Sequence, residues 1–323
     1  MEKGQAAGGF QAGGARVIES LTPLLASAVA LAIPLMLAAL GETIAERSGV
    51  LNLGVEGMML LGALAAFAAV QHGGGLAAAV LAGCLAGAIA ALLFGVLTLT
   101  LQANQVATGL SLTILGSGVS AFIGRNYVGS RSAQSFDALP IPGLVDLPLI
   151  GPALFSMNIL GYLSVAVALA TAWFLYRTRA GLALRSVGES PVVAHSLGLP
   201  VMPIRYAAVA FGGLMAGLAG CYYAVAQFKM WQEGLTSGNG WIALALVVFA
   251  SWRPERVALG ALLFGGVSAF GLYLQAVGVH VSTFALAALP YVATIIVLAA
   301  ISRNAAALRR NSPASLGQPF LAT

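Results

Sequence analysis

Charge is what this chain of 323 residues has least of: Lys and Arg number 15, Asp and Glu 10, together 8% of the sequence. A soluble domain spends about a quarter of its residues on charge, so an ordinary water-soluble fold is excluded. Disorder is excluded from the other side, because 59% of the residues are hydrophobic. Cysteine is nearly missing. Cys84 and Cys221 lie inside apolar stretches without metal spacing, which leaves them as small packing residues. The first twenty residues hold glycine and polar groups, with no apolar core and cleavage site of signal-peptide type. Motifs for self-contained catalysis are absent too. There is no GxxxxGK[ST]; "GSGVS" lacks the lysine; HExxH, CxxC and GxSxG do not occur. The chain is therefore expected to have no catalytic residue, metal or cofactor of its own. Energy for any active process would enter through another subunit, with coupling to an ion gradient left open.

Long apolar runs are what the sequence does have, with a mean hydropathy of +0.94. Candidate spans cover 20–41, 51–70, 76–98, 104–124, 158–176, 205–227, 257–276 and 281–301, each near the roughly 20 residues that a helix needs to cross hydrocarbon. A shorter apolar piece, Trp241–Phe249, fits part of a ninth span or a half-helix buried among its neighbours. The runs are continuous rather than alternating, which argues against a β-barrel. The expected class is an all-α polytopic membrane protein with about eight or nine segments, including short or discontinuous helices. Residues 1–19 read as a polar tail, 20–301 as the membrane domain with a cytoplasmic loop at 177–204, and 302–323 as a cytoplasmic tail.

Arginine gives the orientation. Arg177, Arg179, Arg185 and Arg205 face only Glu189; the tail adds Arg303, Arg309 and Arg310; "SWRPER" adds Arg253 and Arg256. The positive-inside rule puts these segments in the cytoplasm, residues 228–240 outside, and 125–157 outside with a possible short surface helix. Simple alternation then places Gly41–Gly49 inside and the N-terminus outside, whereas a partial dip of the opening stretch reverses the N-terminus. Glycine, 40 copies in all, recurs in small-x-x-x-small spacing, as at Gly83/Gly87 and Gly213/Gly217, a pattern that serves close helix packing.

The scarce charges gather in "GETIAERSGVLNLGVEGMMLLGA", which holds Glu42, Glu46, Arg47, Asn52 and Glu56. A charged side chain facing lipid is costly, so such groups face a cavity, a partner or the interface. One arrangement is a glycine-rich join between two helices, with Asn52 capping the second and Glu56 in its first turn. It would line or buttress a transport path; the alternative is a loop in the headgroup layer. In "TLQANQVATGLSLT", Gln102, Asn104 and Gln105 offer neutral donors and acceptors for a polar uncharged solute, or simply mark a helix start. "CYYAVAQFKMW" reads mainly as an outer aromatic belt, though it could stack on a ring-shaped solute; Gln275 and His280 are weaker candidates. The loop from Ala180 to Leu199 has a break near Gly188, capping residues Glu189 and Ser190, and Pro191 for a first turn. That is more structure than a connector requires, and it fits docking of a cytoplasmic partner. His195 stands alone there and makes no metal site.

Four stretches in order, "GETIAERSGVLNLGVEGMMLLGA", "ANQVATGLSL", "GLALRSVGESPVVAHSLGLPV" and "GNGWIALALVVFASWRPERVALGALLFG", resemble the inner-membrane permeases of bacterial ABC importers over roughly 20–300. The nearest branch is that of nucleoside and simple-sugar permeases, which includes the ribose permease. The resemblance implies a non-catalytic subunit of the bacterial inner membrane, paired with a second, related permease. It also implies a cytoplasmic ATPase with two fused nucleotide-binding domains and an extracytoplasmic binding protein or lipoprotein. The family's coupling loop falls on Arg185–Leu199, with Arg185, Gly188, Glu189, Ala194 and Gly198 at its positions. Glu46, Arg47, Asn52 and Glu56 are then expected to shape a helix break or gate, and Gln102, Asn104 and Gln105 to border the substrate pathway. Nucleosides lead as solutes, then ribose- or galactose-type sugars. The rivals are an ion-coupled carrier working alone and a non-transporting assembly subunit.

Overall fold

The computed structural model describes residues 3–278, 282–302 and 311–320. In chain order they form α1 (Lys3–Arg47), α2 (Val55–Gln71), α3 (Gly75–Gly95), α4 (Gln105–Gly124), α5 (Ile150–Leu154), α6 (Ile159–Arg177), α7 (Arg179–Glu189), α8 (Pro191–Ser196), α9 (Val201–Cys221), α10 (Asn239–Phe249), α11 (Pro254–Ala276) and α12 (Thr283–Ser302). Helices dominate because they satisfy every backbone group within one segment, which hydrocarbon demands. Among the described residues there is no strand, only two isolated bridges, Arg131 with Met230 and Ala138 with Asn158. Six helices are long and apolar enough to cross a membrane: the Leu21–Arg47 part of α1, and α3, α4, α6, α9 and α11, with short extensions on α3, α4 and α9. The expected all-α polytopic class is the one observed. The small surface helix expected within 125–157 is α5.

Two shorter apolar helices complete the pattern. α2 has 17 residues and α10 has 11, so α10 is only about 16 Å long and cannot cross hydrocarbon by itself. The chain reaches it by turning inward from the buried Trp231 through Leu235 and Thr236, both fully buried. Of the two readings open for Trp241–Phe249, α10 matches the short helix buried among its neighbours. At its far end, Trp252 meets Arg47, and Gly188 and Ser315 meet nearby. The structure therefore brings the "SWRPER" turn, the 177–205 loop and part of the C-terminal segment to one end of the bundle.

α9 forms the axis, with 83% of its span buried against 22% for α4 at the periphery. Its glycines explain how. A Cβ on Gly87 would overlap the Gly213 carbonyl, and one on Gly217 would overlap the Gly83 carbonyl. The two small-residue spacings noted in the sequence are the two halves of one α3–α9 seam. On the opposite flank, a Cβ on Gly41 of α1 would sit 2.6 Å from Cβ of Met215 and 3.0 Å from the Gly212 carbonyl oxygen. Close backbone approach supplies van der Waals contact where no hydrophobic drive separates helix from lipid.

Two expectations need correction. The stretch Gly41–Arg47 is not a join but the last turns of α1, because Gly41 serves this packing rather than a bend. The aromatic cluster is not mainly a belt: Tyr222, Tyr223 and Trp231 are buried. Trp231 packs on Phe67 at 5.8 Å between ring centres, filling the space beside Gly124.

Gly87→Leu and Gly217→Leu are expected to cost well beyond the usual ~1–3 kcal/mol of core overpacking, since backbone rather than side chain obstructs them. Size-exclusion profiles in detergent should lose the monodisperse species, whereas Gly118→Leu, at a site with open space, should keep it. Equal behaviour of all three variants would contradict the seam.

Candidate functional site

α1 stops where the sequence allows a left-handed residue. Gly49 has φ +90°; its N–H donates to the Glu46 carbonyl at 2.8 Å and that of Val50 to the Ala45 carbonyl at 3.3 Å. This pair is the Schellman closure of a helix C-terminus. The chain then runs without helix to Val55, and its backbone groups are met by side chains from elsewhere. The Leu51 N–H donates to Gln105 Oε1 at 2.8 Å, the Asn52 N–H to Glu42 Oε1 at 3.1 Å, and the Gly54 N–H to Asn52 Oδ1 at 2.9 Å. The Leu53 carbonyl accepts from Thr113 Oγ1 at 3.0 Å. A buried backbone group without a partner costs as much as a lost hydrogen bond, so these four contacts hold the break open.

Each acid gathered in this region holds a different turn. Glu42 accepts from the break itself. Glu46 accepts from the Trp252 indole N–H, while Arg47 donates through Nε to the Trp252 carbonyl at 3.0 Å. Together they brace Ser251 and Trp252, at φ +53° and +56°, a left-handed pair that costs energy for residues with a Cβ. Glu56 reaches the start of α10: Oε1 accepts from Thr236 Oγ1 at 2.5 Å and from the Gly238 N–H at 2.8 Å, and Oε2 from the Gly240 N–H at 2.6 Å. A carboxylate there meets free N–H groups and the positive end of the helix dipole. All three acids are buried within the protein. Asn52 is buried as well, but it does not cap α2; Gly54 occupies the cap position without a side-chain bond, and Asn52 closes the turn just before it.

The neutral amides separate. Gln105 is buried and committed to Leu51. Asn104 caps α4 by accepting from the Ala107 N–H at 3.0 Å. Gln102, at φ +56°, is an exposed turn residue whose Nε2 lies 3.5 Å from the Phe320 carbonyl oxygen. Beside them, a groove of about 320 Å³ is lined by Leu97, Asn104, Thr108, Ser111 and Leu115, among others. Of the other candidates, Gln275 is exposed, and His280 lies outside the described residues.

In the 179–199 segment, Ser190 caps α8 and Pro191 opens it, as its sequence indicated. Glu189 and Gly198 lie at the surface, Arg185 is half-buried 5.8 Å from the Tyr176 ring, and Ala194 is buried. Gly188 is buried too, because a Cβ there would overlap the Arg47 carbonyl. Leu182, Val192, Val193 and Leu197 form an exposed apolar surface, bordered by the exposed Arg179, Glu189, His195 and Ser196. Sequence reasoning counted Arg205 only as one more positive charge. It is fully buried and donates to the Ser48 carbonyl at 3.2 Å; the position alone, four residues into an apolar helix, was the available signal.

A family model described as "Branched-chain amino acid transport system / permease component" matches residues 24–302. The chain is 44% identical over 256 residues to a putative glucose ABC transporter permease, TsgC13, of Haloferax volcanii, covering 78% of each chain. It is 34% identical over 320 residues to the guanosine ABC transporter permease NupQ of Bacillus subtilis, covering 94% of this chain and 98% of that one. With the nucleoside ABC transporter permease NupC of Lactococcus lactis it shares 31% over 296 residues, covering 88% and 93%. No solved structure matches.

Glu56→Ala removes the acceptor of three donors and is expected to destabilise the protein by about 3 kcal/mol or more, because charge-assisted bonds are lost and buried N–H groups orphaned. Amide exchange at Gly238 and Gly240 should accelerate in Glu56→Ala and less in Glu56→Gln, which keeps one acceptor oxygen. Unchanged exchange at both amides would remove Glu56 from its role at α10.

Proposed function

The chain belongs to the permease family of branched-chain amino acid transport systems, and from that premise we propose that it is the membrane subunit of an ATP-driven importer of nucleosides. The coarser statement, an ABC importer permease for nucleosides or sugars, follows from its relatives. The observation that carries the finer one is the end-to-end correspondence with the guanosine permease, 94% of this chain against 98% of the relative. The 44% identity to the putative glucose permease favours a sugar as the second reading. Purine or pyrimidine bases and ribose hydroxyls both suit neutral amide and hydroxyl groups such as those along α4.

In this reading the subunit performs no chemistry. It sits in the cytoplasmic membrane with a second, homologous permease. An ATPase with two fused nucleotide-binding domains docks on the exposed apolar face of α7 and α8, and a binding protein or lipoprotein delivers solute from outside. ATP binding draws the docked elements together. The helix break at 48–54 then rearranges beside the pathway, and hydrolysis resets it. Such coupling requires contacts that differ between the two states. Glu46, Arg47, Asn52 and Glu56 set the break and its gating, while Gln102, Asn104 and Gln105 border the path. Arg185, Gly188, Glu189, Ala194 and Gly198 shape the coupling element, the exposed ones by contact and the buried ones by packing.

Complexes drawn from native membranes with this chain as bait should contain the ATPase, a second permease and a binding protein. Reconstituted, they should take up radiolabelled guanosine only with ATP, with glucose as the comparison. Uptake that persists in vesicles lacking ATP and every partner would overturn the reading in favour of an ion-coupled carrier. Glu189→Arg, exposed on the docking element, is expected to lower uptake per ATP hydrolysed by about tenfold, within the usual range of coupling energies. A wild-type ratio in that variant would remove Glu189 from the coupling.

A further inference from the structure

A C-terminal segment after a last membrane helix is ordinarily loose unless something ties it down. Residues 311–320 are tied at both ends of the apparatus described above. On the docking side, the Ser315 N–H and Oγ both donate to the Gly188 carbonyl, at 3.1 and 2.7 Å, and the Phe320 ring stands edge-on to His195 at 5.7 Å. On the break side, the Gly317 N–H donates to the Gly49 carbonyl at 3.1 Å, and Arg47 Nη1 donates to the Asn311 carbonyl at 3.1 Å. One short segment thus grips the end of α7 and the left-handed residue that terminates α1.

Arg205 joins the two grips. Its Nε donates to the Ser48 carbonyl at 3.2 Å, Nη1 to the Gln318 carbonyl at 3.3 Å and Nη2 to Ser315 Oγ at 3.2 Å. No carboxylate pairs with it among the described residues. A buried charge is tolerated only while its donors are satisfied, and two of these three acceptors belong to the segment. Gly188 also abuts the Arg47 carbonyl directly. That contact transmits a push, whereas hydrogen bonds running from Gly188 through Ser315 and Gly317 to Gly49 also transmit a pull.

We propose that residues 311–320 are a strap through which the docking element moves the helix break, with Arg205 as its positioning residue. The inference rests on the permease reading above. The membrane-spanning pattern does not require it, whereas the docking element packs on it, with Phe320 buried among Val187, Ala194 and Val201.

The test is hydrogen exchange on the complex isolated from native membranes, with and without ATP. The wild-type complex should change exchange in both 179–198 and 48–54. A chain ending at Arg310, and the milder variants Ser315→Ala and Arg205→Lys, should keep the change in 179–198 and lose it in 48–54. Uptake of guanosine or glucose per ATP hydrolysed should fall about tenfold in the variants, within the range of measured coupling energies. Retention of the 48–54 response in the two milder variants would overturn the strap, and so would a wild-type complex in which 48–54 never responds. Failure to recover any ATPase would instead strike the permease reading, so the two failures are distinguishable. A truncated chain that does not assemble leaves the two point variants to decide.

Discussion

Ending one helix and starting another away from water leaves carbonyls on one side and N–H groups on the other with no solvent to receive them. The segment from Ser48 to Gly54 meets that constraint with side chains of Gln105, Glu42, Asn52 and Thr113, while Arg205 and the Gly317 N–H take the Ser48 and Gly49 carbonyls. Much of the architecture follows from where those side chains must stand. α4 comes to the break because its Gln105 and Thr113 are needed there, although most of that helix faces outward. α10 begins deep in the body because Glu56, in the first turn of α2, supplies the acceptor for its free N–H groups. Two discontinuities are thereby coupled through one carboxylate.

The buried acids are held by hydrogen bonds rather than by ion pairs; among the described residues the ion pairs, Lys229–Asp137 and Arg253–Glu255, are at the surface. Hydrogen bonds to indole, hydroxyl and backbone donors fix direction more strictly than a surface charge pair does, and they exchange partners without separating full charges. That property suits the gating role proposed above for the break. The glycine seam between α3 and α9 has the opposite character. Backbones in contact leave little room for adjustment, so α3 and α9 form the closely locked part of the bundle.

Much of this was legible in the sequence, for physical reasons. Long apolar runs announce helices because hydrocarbon admits little else, and the glycine spacings at 83/87 and 213/217 announced a seam whose two sides proved to be each other's partner. The clustering of Glu42, Glu46, Arg47, Asn52 and Glu56 marked the place as special but left a broken helix and an interfacial loop equally open. Which group each would bind was not legible, since Trp252, Thr236 and Gly240 lie about two hundred residues away. α1 runs past the end its sequence suggests because Gly41, which reads locally as a breaker, instead admits α9. Tyr222, Tyr223 and Trp231 read as a belt because composition cannot tell an interface from a core that the chain re-enters. Arg205 was hidden for a related reason: its partners lie in a C-terminal segment that has no apolar signal of its own.

The central claim is that the break at 48–54 is the moving part of an ATP-driven permease. Leu51→Cys, in a chain with Cys84→Ala and Cys221→Ala, places a thiol within the break at a partly exposed position. Its reaction rate with a membrane-impermeant maleimide, measured in the reconstituted complex with and without ATP, tests the claim directly. The account predicts a rate that differs between the two conditions and returns to its starting value once ATP is consumed. An identical rate in both, in vesicles that are importing solute, would contradict it.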